Sequence, residues 1–262
     1  MWTVTIDGAR VLLEARIDDF VIACGNRRVL TGFRARLLDA FEGIYEGKLQ
    51  HYLGCEVTRD MDKGTTHLSQ THYAEEILRT HKFWNATPRL TPMQPNTRLK
   101  EDSDKNHAPD FHRRCRSIVG SLGCLVTMTR PDLAWAYSEL SKYVQFPGKS
   151  HMLAAKHVLC YLRGTWNQTI LYSRDSHENL NVLWGWVDAD WTGDTYTRRS
   201  HTGYVFMMNG GPISWKSRRQ DNVSLSTSEA EFVAASQAGQ EAIYLRETLT
   251  DFGFSQNKAS LL

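Results

Sequence analysis

The sequence has no long hydrophobic run and almost no imbalance of charge. No stretch approaches the ~18 apolar residues that a membrane-spanning helix requires, which excludes such a helix. No secretory signal peptide precedes the first strand-like segment, so we expect an intracellular protein. Lys and Arg total 31 against 29 Asp and Glu, a formal net charge of +2. The total charge therefore does not indicate a nucleic-acid-binding protein, and any such surface has to be a local patch.

Cysteine is scarce and scattered. The chain has no C-x-x-C pair and no neighbouring histidine cluster, which argues against a zinc site. An odd number of dispersed cysteines also argues against a disulfide framework and favours reduced thiols in an intracellular protein. These are the five cysteines of the chain: Cys24, Cys55, Cys115, Cys124 and Cys160.

What remains is the composition of a folded protein. Hydrophobic residues make up 41% and charged residues 23% of the 262 residues. These proportions are typical of globular domains and do not favour disorder. The length allows one large domain or two small ones.

Two acidic motifs lie in the most informative stretch, residues 182–236. Asp188-Ala-Asp190 follows an apolar, aromatic run at residues 182–187 that predicts a buried strand. Ser226-Thr-Ser-Glu-Ala-Glu231 opens a long helical pattern. Carboxylates at the end of a strand and in the first turns of a helix could converge on a divalent cation, because Mg²⁺ prefers oxygen ligands. Two such ions about 3.5–4 Å apart can clamp the attacking and leaving oxygens of a phosphodiester.

The residues between these motifs predict a sheet. Residues 203–208 and 212–217 are rich in strand formers, and the turn residues 209–211 lie between them. Ser226 is a favourable N-cap, and Glu229 three residues later completes a capping box. Glu231 is therefore the better candidate for chemistry. The structural alternative makes Asp190 a loop carboxylate and Glu229 a helix cap.

The N-terminal residues predict a hairpin that carries two adjacent acids. Asp7-Gly8 is a turn signal, and residues 11–24 supply strand residues on both sides of Asp18-Asp19. Burying two carboxylates among apolar side chains is unfavourable unless a cation or other partners compensate. If the pair were simply a polar turn, Gly, Asn or Pro would be expected beside it, and none is present.

The middle of the chain alternates between regular patterns and one irregular segment. An apolar stripe predicts a helix over residues 26–41. Strands are predicted at 49–57 and 65–69, and a helix at about 71–81. Four prolines mark a linker between about 86 and 110. Helices then follow over 111–164, with Pro131 starting one that runs to about 146, and a short strand is predicted at 169–172.

Four separated motifs resemble the ribonuclease H segment of copia-type retrotransposon polyproteins: VDADW, RRSHTGYVF, ISWKSRRQ and LSTSEAEFVAAS. They occur in the order and spacing of that family. The resemblance implies that Asp188 and Glu231 hold metal ions, Mg²⁺ or Mn²⁺ in a two-ion site. The implied activity is cleavage of the RNA strand of an RNA–DNA hybrid, which would leave a 5′ phosphate.

The earlier part of the chain resembles the reverse transcriptase of the same polyproteins. Ile17-Asp-Asp-Phe20 is similar to the palm hairpin whose paired aspartates bind the metals for nucleotide addition, which implies metal ligation by Asp18 and Asp19. Arg16 stands where the family has an aromatic residue. LGCEV and LSQTHYAEEIL are similar to the palm, and RSIVGSL, TRPDLA and KHVLCYLRGT to a thumb-like segment.

The resemblance implies an α+β fold in four parts. We expect a reverse transcriptase palm remnant at residues 1–85, a linker at 86–110 and a helical thumb-like or connection block at 111–175. An incomplete ribonuclease H-like mixed sheet with one long helix is expected at 181–262. The family's other palm aspartate and its third ribonuclease carboxylate have no counterpart in these 262 residues. We therefore expect weak or no activity of the isolated chain, unless the missing polyprotein segments are added; the alternative is a non-catalytic remnant that binds RNA or the hybrid.

Basic residues supply candidate phosphate contacts. Lys216, Arg218 and Arg219 form the densest cluster near the acids, and Arg198 and Arg199 are second candidates. The alternative for both groups is a charge that protects an edge strand from aggregation. The helical block also carries basic residues that either track phosphates or simply solvate the surface: Arg113, Arg114, Arg116, Arg130, Lys142, Lys149, Lys156 and Arg163.

Overall fold

The computed structural model describes residues 1–17, 19–95, 97–102, 107–176, 180–193 and 197–257. These residues form a mixed α+β fold with three antiparallel sheets, which confirms the predicted class. The strands are β1 Trp2–Ile6, β2 Ala9–Arg16, β3 Asp19–Cys24, β4 His51–Tyr52, β5 Cys55–Asp60, β6 Thr65–Ser69, β7 Ile170–Ser173, β8 Trp184–Asp190, β9 His201–Met208 and β10 Gly211–Arg219. The α-helices are α1 Arg27–Phe41, α2 Thr71–Thr80, α3 Pro109–Met128, α4 Ala134–Ser141, α5 Lys149–Thr165 and α6 Thr227–Asp251.

The chain divides into two compact units, and the first combines residues 1–50 with residues 243–257. Its sheet has the order β1-β2-β3. Asp7 and Gly8, at φ 49° and 74°, make the predicted turn between β1 and β2. Both residues have positive φ, as a two-residue turn matching the twist of a hairpin requires.

Helix α1 begins and packs as the sequence predicts. The Asn26 side-chain oxygen accepts hydrogen bonds from the backbone N–H groups of Arg28 and Val29, at 3.0 and 3.3 Å. An asparagine in this position satisfies donors that the first helical turn leaves unpaired. Val29 is buried in this unit, as is Val11 of β2. The helix therefore covers the face of the sheet that carries Val11.

The second unit comprises residues 51–242 and holds the other two sheets. One sheet has the order β4-β5-β6-β7. The prediction of one strand over residues 49–57 is wrong, because Leu53 and Gly54 take positive φ values of 51° and 77° and turn the chain back between β4 and β5. Strand β7 joins the sheet from far along the chain, with Ile170 opposite Leu68.

Helices α2 to α5 surround the main hydrophobic core of this unit. Pro131 begins a short 3-10 helix, Pro131–Leu133, before α4, which ends at Ser141 and not near residue 146 as predicted. The described residues of the predicted linker 86–110 that precede α3 contain no helix or strand, yet they contact α5. The backbone N–H of Arg89 donates to the Cys160 carbonyl, and Met93 is buried in the core.

The third sheet has the order β10-β9-β8 and precedes α6. The predicted sequence of three strands, a tight turn and a long helix is confirmed over residues 184–251. Asn209 and Gly210 form the turn between β9 and β10, with φ values of 53° and 84°. None of the helices in the described part of the chain is long and apolar enough to cross a membrane.

Replacing Tyr172 by phenylalanine is expected to change how stability depends on alkaline pH. Burial raises the pKa of Tyr172 from 10.0 to about 12, and its hydroxyl donates to the Pro212 carbonyl at 2.7 Å. A raised folded-state pKa contributes stability that is fully present below the unfolded pKa near 10 and is lost as pH rises through about 12.

At pH 8 the free energy of unfolding of the unmodified chain should be about 1 kcal/mol larger than that of Tyr172→Phe, because a hydrogen bond typically contributes that net amount. The difference should shrink and then reverse between pH 10 and 12, because each pKa unit corresponds to about 1.4 kcal/mol. Urea unfolding of both chains from pH 8 to 12 measures it. A difference independent of pH would contradict the prediction.

Candidate functional site

Asp188 lies on the exposed face of strand β8. Its side chain is exposed, and its partner on β9 is Gly203. Alternate residues of a strand share a face, so Asp188 is on the same face as Trp186, which is 56% exposed. No described atom outside the neighbouring residues lies within 4 Å of the position that a Cβ would take at Gly203. The carboxylate of Asp188 therefore borders open space.

At the start of α6, Glu229 caps the helix as predicted, and a chemical role for Glu231 stays a prediction. The backbone N–H of Glu229 donates to Ser226 Oγ at 3.1 Å, and Glu229 Oε2 accepts from the N–H of Leu225 at 2.6 Å. The capping box is thus present, with the glutamate reaching one residue further back than expected. Glu229 is occupied by this cap. Glu231, in the next turn, is exposed.

Two side chains hold the loop between β10 and α6. The indole Nε1–H of Trp191, which directly follows β8, donates to the Ser224 carbonyl at 3.1 Å. Gln220, which directly follows β10, is 1% exposed, and its Nε2 donates to the Ala230 carbonyl at 2.9 Å. The end of the strand with Asp188 is therefore bonded to the loop that leads to Glu231. Neither role is predicted, because no local sequence pattern distinguishes Trp191 or Gln220 from residues that make no such contact.

Helix α6 covers the sheet face opposite Asp188. Ser214 Oγ donates to Glu241 Oε1 at 2.6 Å, and burial together with the nearby Glu241 carboxylate raises the pKa of Tyr204 to about 12. Tyr204 alternates with Gly203 along β9, so the helix and Asp188 are on opposite faces. The two carboxylates can therefore approach each other only around the end or edge of the sheet. The sharing of one cation by Asp188 and Glu231 stays a prediction.

In the part of the chain that the structure describes, no group of three or more His, Cys, Asp or Glu side chains could hold a metal ion. Asp190 is the last residue of β8 and not a loop residue, and its carboxylate lies 3.9 Å from the Arg98 guanidinium. That ion pair gives Asp190 a local structural partner.

Asp19 of the N-terminal hairpin is less enclosed than expected. Asp18 lies outside the described residues. Asp19 is the first residue of β3, is exposed, and pairs with Arg16 of β2. The expectation that a turn here needs Gly, Asn or Pro is wrong, because Ile17 adopts φ 53° with its side chain 94% exposed. Asp19 therefore begins the second strand of a tight hairpin and needs no partner to offset burial.

The candidate phosphate-binding residues do not form one surface. Lys216 and Arg218 are exposed on one face of β10, whereas Arg219 alternates to the other face. Arg218 also pairs with Asp221 at 3.2 Å. Arg198 is exposed and Arg199 is half-buried in the segment before β9. By strand register, Lys216 and Arg218 lie on the face that α6 covers, and Arg219 lies on the face that carries Asp188.

Several basic residues of the helical block are used inside the fold. Arg116 donates to the Val144 and Gln145 carbonyls, and Lys142 pairs with Glu139 at 2.5 Å. Arg130 is 3% exposed and makes a bidentate pair with the Asp132 carboxylate. The hypothesis of a phosphate-tracking face is therefore wrong for Arg130.

The N-terminal part of the chain matches a known protein family. Residues 1–95 match the family described as reverse transcriptase (RNA-dependent DNA polymerase). Reverse transcriptases generally use divalent metal ions and bind nucleic acid. No solved structure matches the chain.

The chain is similar to curated proteins of plant transposons. It is 33% identical over 252 residues to the retrovirus-related Pol polyprotein from transposon TNT 1-94 of Nicotiana tabacum, covering 95% of this chain and 19% of that protein. It is 35% identical over 241 residues to the retrovirus-related Pol polyprotein from transposon RE2 of Arabidopsis thaliana, covering 90% and 16%. The chain thus spans less than a fifth of either Pol polyprotein.

The chain is also similar to a protein of comparable length. The uncharacterized mitochondrial protein AtMg00810 of Arabidopsis thaliana is 31% identical over 219 residues, covering 83% of this chain and 87% of that protein. Together with the reverse transcriptase match, the similarity extends over nearly the whole chain. The chain belongs to the copia-type retrotransposon Pol polyprotein family and carries a reverse transcriptase domain at residues 1–95.

Proposed function

We propose that this chain supplies Asp188 and Glu231 to a ribonuclease H-type site within a Pol polyprotein, and Asp18 and Asp19 to a reverse transcriptase palm. The observation that carries the ribonuclease proposal is the hydrogen bond from Trp191 Nε1 to the Ser224 carbonyl at 3.1 Å. It joins the end of the strand that carries Asp188 to the loop that precedes the helix with Glu231. The proposed parts are the palm at 1–85, the linker at 86–110, the helical block at 111–175 and the ribonuclease H-like part at 181–262.

The two carboxylates suit Mg²⁺ or Mn²⁺. Both side chains are exposed, and Gly203 leaves open space beside Asp188, so hydrated cations have access. Carboxylate oxygens are the ligands that these hard cations prefer, and such ions commonly keep several waters and substrate oxygens. When bound, divalent ions supply an activated water and neutralise charge on the phosphodiester.

The chain's own residues would hold and orient the nucleic acid. The proposed substrate is an RNA–DNA hybrid, whose RNA strand is distinguished by its 2′-hydroxyl groups. Lys216 and Arg218 are exposed on one face of β10 and would contact backbone phosphate. Arg198, Arg199 and Arg219 are further candidates for such contacts. Asp188 and Glu231 would orient the cleaved phosphodiester through their bound ions.

Hydrolysis of a labelled hybrid tests the proposal. We expect weak cleavage by the isolated chain in Mg²⁺ or Mn²⁺, because it contributes two of the carboxylates that the resemblance implies. Asp188→Asn and Glu231→Gln should each abolish it. Glu247→Gln is the matched control, since Glu247 is exposed on the same helix about 24 Å from Glu231 at a rise of 1.5 Å per residue. Cleavage that survives both site substitutions would contradict the assignment.

A second function is a non-catalytic hybrid-binding remnant, favoured by the exposed Lys216 and Arg218. It predicts salt-sensitive binding without cleavage, even after the downstream polyprotein segment is added. Cleavage that appears only after that addition, and that Asp188→Asn removes, would support the ribonuclease assignment and exclude the remnant.

A further inference from the structure

The side chain of Gln220 is buried, and its amide group makes hydrogen bonds to strand β9, to helix α6 and to the loop between β10 and α6. Its Nε2 donates to Thr202 Oγ1 at 3.1 Å and to the Ala230 carbonyl at 2.9 Å. Its Oε1 accepts from Ser224 Oγ at 3.0 Å. The backbone N–H of Gln220 donates to the Ser200 carbonyl at 2.8 Å. Every polar group of this side chain therefore has a partner away from water.

Two of these partners are adjacent in the chain to a proposed metal ligand or to the strand partner of one. Thr202 precedes Gly203, which is the cross-strand partner of Asp188. Ala230 precedes Glu231 and lies on the buried side of α6, at 0% exposure. One amide group thus spans from the strand beside Asp188 to the helical turn that carries Glu231.

Helix α6 faces the sheet with small residues, and this makes the position of its first turn relative to the sheet sensitive to Gln220. Ala230, Ala234 and Ala238 are fully buried at intervals of four residues, so the helix lies close to the sheet on a row of methyl groups. Methyl groups interdigitate little, and a flat contact of this kind resists sliding and rotation weakly. A directional hydrogen bond to the Ala230 carbonyl fixes both the height and the rotation of the first turn.

We propose that Gln220 is a positioning residue, which sets the separation of Asp188 and Glu231 and thereby their affinity for a divalent cation. The inference rests on the proposed function, because it assumes that these carboxylates bind the cation together. It assigns to Gln220 no contact with substrate or metal. Loss of its amide should move Glu231 relative to Asp188 without removing either carboxylate.

Mn²⁺ binding to the full chain, followed by the electron paramagnetic resonance signal of the free ion, tests this role without relying on catalysis. Gln220→Met keeps the length of the side chain and removes both hydrogen-bonding groups. We expect its Mn²⁺ dissociation constant to rise at least tenfold. Ser214→Ala is the matched control, because it removes another hydrogen bond between β10 and α6, to Glu241, ten residues beyond Glu231. Its dissociation constant should stay within twofold of that of the unmodified chain.

Thr202 provides an independent pair of variants should Gln220→Met fail to fold, which circular dichroism would reveal. Thr202→Val removes the hydroxyl that Gln220 Nε2 contacts, and Thr202→Ser retains it. Valine should weaken Mn²⁺ binding several-fold, and serine should restore it. If Gln220→Met folds and binds Mn²⁺ with unchanged affinity, the role of Gln220 is overturned. If only Thr202→Val folds, unchanged Mn²⁺ affinity of that variant has the same consequence.

Substitution of the carboxylates separates the two ideas. If Asp188→Asn and Glu231→Gln weaken Mn²⁺ binding and Gln220→Met does not, only the positioning role is wrong. If Asp188→Asn and Glu231→Gln bind Mn²⁺ as the unmodified chain does, the proposed metal pair itself is wrong.

Discussion

Arg130→Ala is expected to lower the free energy of unfolding by roughly 3–5 kcal/mol, the range measured when one partner of a buried ion pair is removed. The Arg130 guanidinium is 3% exposed and donates to both oxygens of Asp132, at 2.8 and 2.7 Å. It also donates to the Thr165 carbonyl at 3.0 Å and to Thr165 Oγ1 at 2.6 Å, at the end of α5. Removing it takes away these four hydrogen bonds, whereas Asp132 keeps the Tyr161 hydroxyl at 2.9 Å and the Thr165 carbonyl keeps the Gln168 N–H at 3.1 Å. Urea unfolding of the full chain measures the loss.

Arg113→Ala is the matched control for Arg130. Arg113 makes the same type of pair, with Asp110 at 2.5 Å, but the two side chains are 80% and 60% exposed. Exposed pairs contribute about 0–1 kcal/mol, so the control should lose no more than that. Equal losses in the two variants would show that Arg130 does not stabilise the fold as its contacts indicate. Both variants should bind an RNA–DNA hybrid with the salt dependence of the unmodified chain if neither arginine contacts phosphate.

Leu122→Ala is expected to destabilise the second unit by about 2–5 kcal/mol, the range for a truncated core leucine. Leu122 lies on α3 and is fully buried within the core formed by α2 to α5. Close packing on all sides prevents the cavity from collapsing completely, and the lost contacts add to the lost burial of the methyl groups. The shift in the midpoint of urea unfolding gives the change in free energy of unfolding, provided that the dependence of that free energy on urea concentration is the same in both chains.

Leu153→Ala on α5 provides the comparison for Leu122. Its side chain is 67% exposed, so truncation removes little buried surface. We expect a change within about 0.5 kcal/mol. A loss of several kcal/mol at Leu153, or less than 1 kcal/mol at Leu122, would contradict the assignment of the core.

Local signals in the sequence predict most of the individual elements. Asp7-Gly8 and Asn209-Gly210 specify their turns because their residue types accept positive φ, and Asn26 and Ser226 specify helix starts because they can accept from free backbone N–H groups. Each signal acts within four residues. Such short-range chemistry does not depend on how the rest of the chain packs.

The features that the sequence does not predict depend on distant partners. Leu53-Gly54 divides a continuous strand pattern, since Leu53 takes a conformation that its residue type disfavours. The burial of Gln220 and Arg130 follows from groups brought together by packing, and nothing near them in the sequence distinguishes them from solvated residues. Asp188 and α6 lie on opposite faces of the sheet because of the register between strands. The residues around each motif do not determine that register.

The pairing of β7 with β6 ties the order of folding to the order of synthesis. Residues 65–69 emerge from the ribosome about a hundred residues before their partner at 170–173, and the loop between them must close before the pairing contributes any stability. Translation that halts between these segments therefore yields a nascent chain with an unpaired strand edge at β6. If a decaying transposon copy acquires a stop codon between these two segments, the resulting chain should be prone to aggregate. A stop codon beyond residue 173 would leave this sheet intact.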